Sequence, residues 1–137
     1  MVNEFQQLLD DTCERQGWLI PKPARVYIAG LLAERVSRVP WEPQPSYAEQ
    51  YLQLTTTSAA LELGNTCFWC RSVFPHWGER RGLNPSYLED MGRGCYDRVL
   101  REREIPAVKL LRDHWEFLAE VTWTAVHCQD GFRSMWD

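Results

Sequence analysis

Apolar residues recur along this chain at steps of three and four, the spacing that gathers side chains onto one face of a helix. Phe5, Leu8, Leu9 and Cys13 do so between positions 3 and 16, and Gly17 offers the stop that a helix end favours. Pro21 and Pro23 exclude a helix interior, although a proline such as Pro23 suits a first turn. Val26, Ile28, Leu31, Leu32, Arg35 and Val39 then mark a second helix over 24–39, with Gly30 either weakening it or allowing close packing. Pro40, Trp41, Glu42, Pro43, Gln44 and Pro45 read as a connector, since alternating prolines suit neither helix nor central strand.

Ser46 with Glu49 forms a capping-box signal, and Tyr47, Tyr51, Leu54, Ser58 and Leu61 continue a helical line through Leu63. Thr55, Thr56 and Thr57 are poor helix formers, so a short strand over 54–58 is the local alternative. Gly64 and Asn65 interrupt or bend the helix. The apolar run Cys67, Phe68, Trp69, Val73 and Phe74 lies inside and ends at Pro75, and 76–82 form an ordered loop or short turn. Asn84 before Pro85, or Ser86 with Glu89, starts the next helix. Leu88, Met91, Cys95, Tyr96 and Val99 form its apolar face, and Gly92 and Gly94 permit a neighbouring backbone to approach. After a charged hinge at 101–104, Pro106 opens a last helix over 107–128, marked by Val108, Leu111, Trp115, Leu118, Thr122, Ala125 and Val126. The tail 129–137 packs through Phe132 and Trp136 or frays.

One-sided apolar stripes must cover one another. The expected fold is therefore all-α, a compact bundle of about five helices forming a single domain over 1–137. With 137 residues, 45% of them hydrophobic, the chain can bury a core without metal or disulfide staples. Seven tryptophans, five tyrosines and five phenylalanines make that core aromatic-rich, or leave some rings in an exposed groove.

The net charge of −4 argues against duplex nucleic acid as a partner. The opening residues lack a secretory segment, and no stretch is long enough for a membrane span. Together with the odd cysteine count of five, this makes a cytoplasmic protein with reduced thiols the expectation.

Two groups of residues carry candidate chemistry. The first is redox or metal chemistry. Cys67 and Cys70 form a CxxC pair, but they follow a helix rather than a buried strand, and no second pair completes a zinc set. His76, His114, Glu120 and His127 would have to supply the remaining ligands. Val73, Leu111 and Thr124 stand where a helical di-metal pattern places glutamate three residues before each histidine. Buried thiols and a solvated helix face explain the same residues. No metal or cofactor is assigned on this pattern, and whether the chain is an enzyme stays open.

The second group is aromatic and basic. Trp69, Phe74, Trp77, Arg80, Arg81, Tyr87 and Tyr96 cluster around the loop between helices, where rings supply rigid contact and arginines orient an anion. Interleaved acids, including Glu79 and Glu89, would neutralise part of that charge. The leading reading is a small interaction or regulatory protein whose partner is a protein or a small anionic ligand, with homo-oligomers also open. No phosphate loop, dinucleotide fingerprint or nucleophile elbow is present.

The segment from Leu61, Glu62, Leu63, Gly64, Asn65 through Phe74, Pro75, then Arg80, Arg81, Gly82 and Tyr87, Met91, Gly92, Cys95, Tyr96 resembles a family of uncharacterised bacterial helical proteins. About a third of the chain is covered. Asn65 stands where that family has aspartate, and Cys67 and Cys70 where it has small or apolar residues. The resemblance implies a helical fold with cysteines as fillers, and it implies no activity.

Overall fold

A computed structural model describes residues 1–36 and 46–128. Val39, the connector 40–45 and the tail 129–137 lie outside the described residues. All regular structure among them is helical, in eight helices rather than about five.

The first two elements follow the sequence closely. Helix α1 (Val2–Gln16) buries Phe5, Leu8, Leu9 and Cys13 and ends at Gly17, whose φ of 70° is the left-handed cap that glycine adopts without strain. Helix α2 (Lys22–Arg35) carries Pro23 in its first turn, and its last residue, Arg35, is buried.

The extra helices arise from three places. The line expected to run from Ser46 through Leu63 is divided. Helix α3 (Tyr47–Leu52), capped by the Ser46 side chain on Glu49 N, stops at Gln53. Thr56 then accepts from Ala59 N and starts α4 (Thr57–Val73). The threonines therefore form neither strand nor helix interior; one of them caps, because its hydroxyl satisfies a free amide of the new first turn. Past Pro75 the chain makes a further short helix, α5 (Pro75–Arg80), where a loop or turn was expected. The third division is at His114. What reads as one helix over 107–128 is α7 (Pro106–Asp113) and α8 (Trp115–His127), with His114 at φ −125°, ψ 36° between them. No glycine or proline causes this break. It coincides with Trp115 entering the core, which is a tertiary effect.

Helix α6 (Pro85–Glu102) starts from Asn84, whose side chain accepts from Tyr87 N. Gly64 and Asn65 do not interrupt α4, which runs through both. It packs along α6 and α8 and is the centre of the domain, while α1 pairs with α2 and α8. In its second half α4 is buried almost all round, including Gly64, Cys67, Phe68, Trp69, Cys70, Ser72 and Val73. The α4–α6 contact is close because Gly64 has no side chain; a Cβ there would lie 2.8 Å from Tyr96 Cε1 and 3.2 Å from Cys95 Cβ. Phe68, Tyr96 and Trp115 form the aromatic centre, with the Phe68 and Trp115 rings edge to face at 5.3 Å.

Candidate functional site

The seven aromatic and basic candidates separate into core and surface. Trp69 and Tyr96 are inside: Trp69 packs edge-on against Phe74 at 5.2 Å, and the Tyr96 hydroxyl donates to Asn65 Oδ1 at 2.8 Å. Neither is available to a partner. Phe74 and Tyr87 are half-buried against the core, so they form its edge. Trp77 is half-buried on α5, while Arg80 and Arg81 are exposed.

The surface trio is built by α5. Pro75 sets the first turn of this helix, Gly78 faces inward, and Gly82 at φ 75° turns the chain away. A Cβ on Gly78 would meet the Leu83 carbonyl oxygen at 3.0 Å and Cys70 Sγ at 3.4 Å, so the helix sits tightly on its support. Above it the Arg81 guanidinium lies over the Trp77 ring, 4.5 Å from the centroid. Arg80 belongs to the last turn, where a cation also offsets the negative end of the short helix. His76 stands 3.7 Å from Glu79, a pair that attracts only when the imidazole is protonated.

The six redox or metal candidates are not brought together. No group of three or more histidine, cysteine, aspartate or glutamate side chains able to hold a metal occurs among the described residues. Cys67 and Cys70 are fully buried, whereas His76, His114 and Glu120 are exposed on other elements. His127 Nε2 is 2.8 Å from the Val73 carbonyl oxygen, which accepts from it, and its ring lies 5.2 Å from that of Trp123. Burial pushes the Cys70 thiol up to about 12 and the Cys67 thiol well above its ordinary range. Both sit in the C-terminal half of α4, where the helix dipole disfavours a thiolate. That environment opposes nucleophilic or dithiol redox chemistry.

Sequence reasoning passed over a polar node beneath the α2–α4 surface. Asn65 Oδ1 accepts from the Tyr27 hydroxyl at 3.0 Å and from that of Tyr96. One turn away, the buried Arg35 donates to Glu62 Oε1 at 2.7 Å and Thr66 Oγ1 at 3.4 Å. The partners are 27 to 38 positions apart, so no local spacing announces them. The one available signal was a charged residue, Arg35, on an otherwise apolar helical face.

Among the described residues no helix is long and apolar enough to cross a membrane. The chain finds no match among family models, curated proteins or solved structures, and the family resemblance of its central segment stays a proposal.

Proposed function

We propose that this chain is a small intracellular interaction or regulatory protein that docks an acidic protein segment on the corner made by α5 and the turn after it. The observation that carries the reading is the Trp77–Arg81 stack, in which the guanidinium of the residue that ends α5 lies over a flat apolar ring of the helix. Such a pair joins two of the side-chain types enriched at binding hot spots. Little conformational freedom is left to lose on binding, because Gly78 anchors the helix and Trp77 leans on the core. Arg80 adds a second cation beside it. Phe74 and Tyr87 contribute apolar rim, and Trp69 with Tyr96 act from beneath as support rather than contact. Five free cysteines are compatible with a reducing compartment.

Affinity purification from the native cell with charge-reversed Arg80→Glu/Arg81→Glu protein tests this, using thermal unfolding as the control. Both arginines are exposed, so the melting temperature should stay within a few degrees while partner recovery falls at least tenfold. Unchanged recovery with an intact fold would dispose of the α5 corner as the docking face.

A further inference from the structure

The turn between α1 and α2 holds an apolar side chain out of the domain. Gly17 ends α1 in the left-handed conformation, and the Trp18 amide donates to the Cys13 carbonyl at 2.9 Å. Two residues on, Ile20 is buried in the core. Leu19 is held between these anchors and is 96% exposed. A lone exposed leucine is ordinary. This one adjoins an aromatic pair: the Trp18 ring meets that of Phe117, in the first turn of α8, edge to face at 5.8 Å, and Phe117 is itself exposed. The three residues make an apolar patch at the end of the domain where α1 stops and α8 starts. The segments outside the described residues begin beyond Val36 and Cys128, at the opposite ends of α2 and α8 from these rings.

Charges of opposite sign flank the patch. Lys22, three residues past Leu19 at the start of α2, and Glu120, one turn past Phe117 in α8, are both exposed, and neither has a hydrogen-bond or ion-pair partner among the described residues. The other acids of this end stand beside cations: Glu116 pairs with Arg71, Asp113 with Arg112, and Glu14 is followed by Arg15.

We propose that two copies of the chain associate through this patch, face to face about a two-fold axis. The charge pattern selects a second copy as the occupant. A two-fold axis through the patch carries each side of one copy onto the opposite side of the other, so Lys22 of each copy meets Glu120 of the second. A surface with one cation, one anion and an apolar centre is its own complement, whereas a uniformly acidic or basic partner is repelled by one half of it. Leu19 of each copy then covers the aromatic pair of the other and takes that apolar surface out of water. The anchored turn and the ring contact leave little freedom to lose on association. A patch of this size supports a weak, concentration-dependent dimer, not an obligate one. No residue of α5 takes part, so the dimer stands or falls independently of the docking reading.

Sedimentation equilibrium of the full chain, from about 10 μM to 1 mM, tests the proposal. The weight-average mass should climb from 16.1 kDa toward twice that value. Leu19→Asp, at a position outside the core, should weaken association at least tenfold while the melting temperature of dilute protein stays unchanged. Lys22→Glu and Glu120→Lys, each alone, set like charges opposite one another and should weaken it severalfold. The Lys22→Glu/Glu120→Lys double variant exchanges the two signs and should restore the native association, a result that neither a folding defect nor general stickiness produces. A mass constant at 16.1 kDa, full association by Leu19→Asp, or a double variant no better than the single ones would each overturn the assignment.

Discussion

Trp115 lies against the backbone of Gly92, and no other residue type leaves room for it: a Cβ at position 92 would overlap Cη2 and Cζ3 of the indole. Glycine in a helix costs about 1 kcal/mol relative to alanine, so α6 accepts a local penalty to let a buried tryptophan enter the core. Overpacking costs about 1–3 kcal/mol, which exceeds the helix-propensity gain. Gly92→Ala should therefore destabilise the protein by roughly 1–2 kcal/mol. Gly30→Ala, with nothing within 4 Å of the new carbon, should stabilise it by about 0.5–1 kcal/mol. Urea unfolding of both variants checks the pair, and equal effects would show that propensity rather than packing governs position 92.

The two phenols on Asn65 differ in what replaces them. Tyr96 is fully buried, so removing its hydroxyl leaves part of the Oδ1 hydrogen-bonding capacity without water nearby. Tyr27 is half-buried and lines an open cavity between α2 and α4, where solvent can substitute. Tyr96→Phe should cost about 1–2 kcal/mol and Tyr27→Phe about half as much or less. Denaturation midpoints in the reverse order would mean that Tyr27, not Tyr96, fixes the amide.

The contrast between these sites explains what was legible in the sequence. Gly17, Ser46, Asn84 and Gly92 were readable because caps and close approaches are local choices of residue type. The three helix divisions were not. Thr56 caps α4 only because α3 has already stopped, and the break at His114 has no local breaker. A helical stripe also cannot show that α4 is buried on nearly every side, so Trp69 reads as a contact residue as well as a core one, and Tyr96, on the apolar face of α6, is core too. The Arg81–Trp77 contact was legible as a cluster, since its members are four residues apart. The Asn65 node was not, because its members come from three helices.

Burial separates the thiols by reactivity. Cys128 is exposed, while Cys13, Cys67, Cys70 and Cys95 are buried. At neutral pH one thiol should react with an aromatic disulfide reagent within minutes and four only on unfolding; two fast thiols would reopen the redox reading of Cys67 and Cys70. The same burial sets an alkaline limit. Burial holds Cys70 and Cys95 protonated up to about 12, against an ordinary value of 9.0 when unfolded. Between those values the unfolded chain has released protons that the folded chain keeps, so each rise in pH favours unfolding by about 1.4 kcal/mol per unit per group. Their contribution is complete below pH 9 and is lost progressively above it. The urea midpoint should be flat from pH 7 to 8.5 and fall beyond 9, and a Cys70→Ala/Cys95→Ala protein should fall less steeply. A slope unchanged by that double substitution would assign the alkaline loss to other groups.

Arg35 brings a full charge into the domain, with its side chain wholly buried and its Nε and Nη1 without hydrogen-bond partners among the described residues. Its good contact is with Glu62, which is itself 54% exposed, so water weakens the attraction that should offset desolvation of the guanidinium. Two substitutions separate the net value of the pair from the cost of breaking it. Arg35→Met removes the buried charge and keeps most of the volume, so stability should change by less than about 1 kcal/mol or rise. Glu62→Ala leaves the cation inside with Thr66 and a distant Glu34, and should cost about 2 kcal/mol, below the 3–5 of a fully buried pair because Glu62 is hydrated. Urea unfolding at low and high salt reads both. If Arg35→Met proves the more damaging of the two, the guanidinium is a net stabiliser, and desolvation is not the dominant energy at the end of α2.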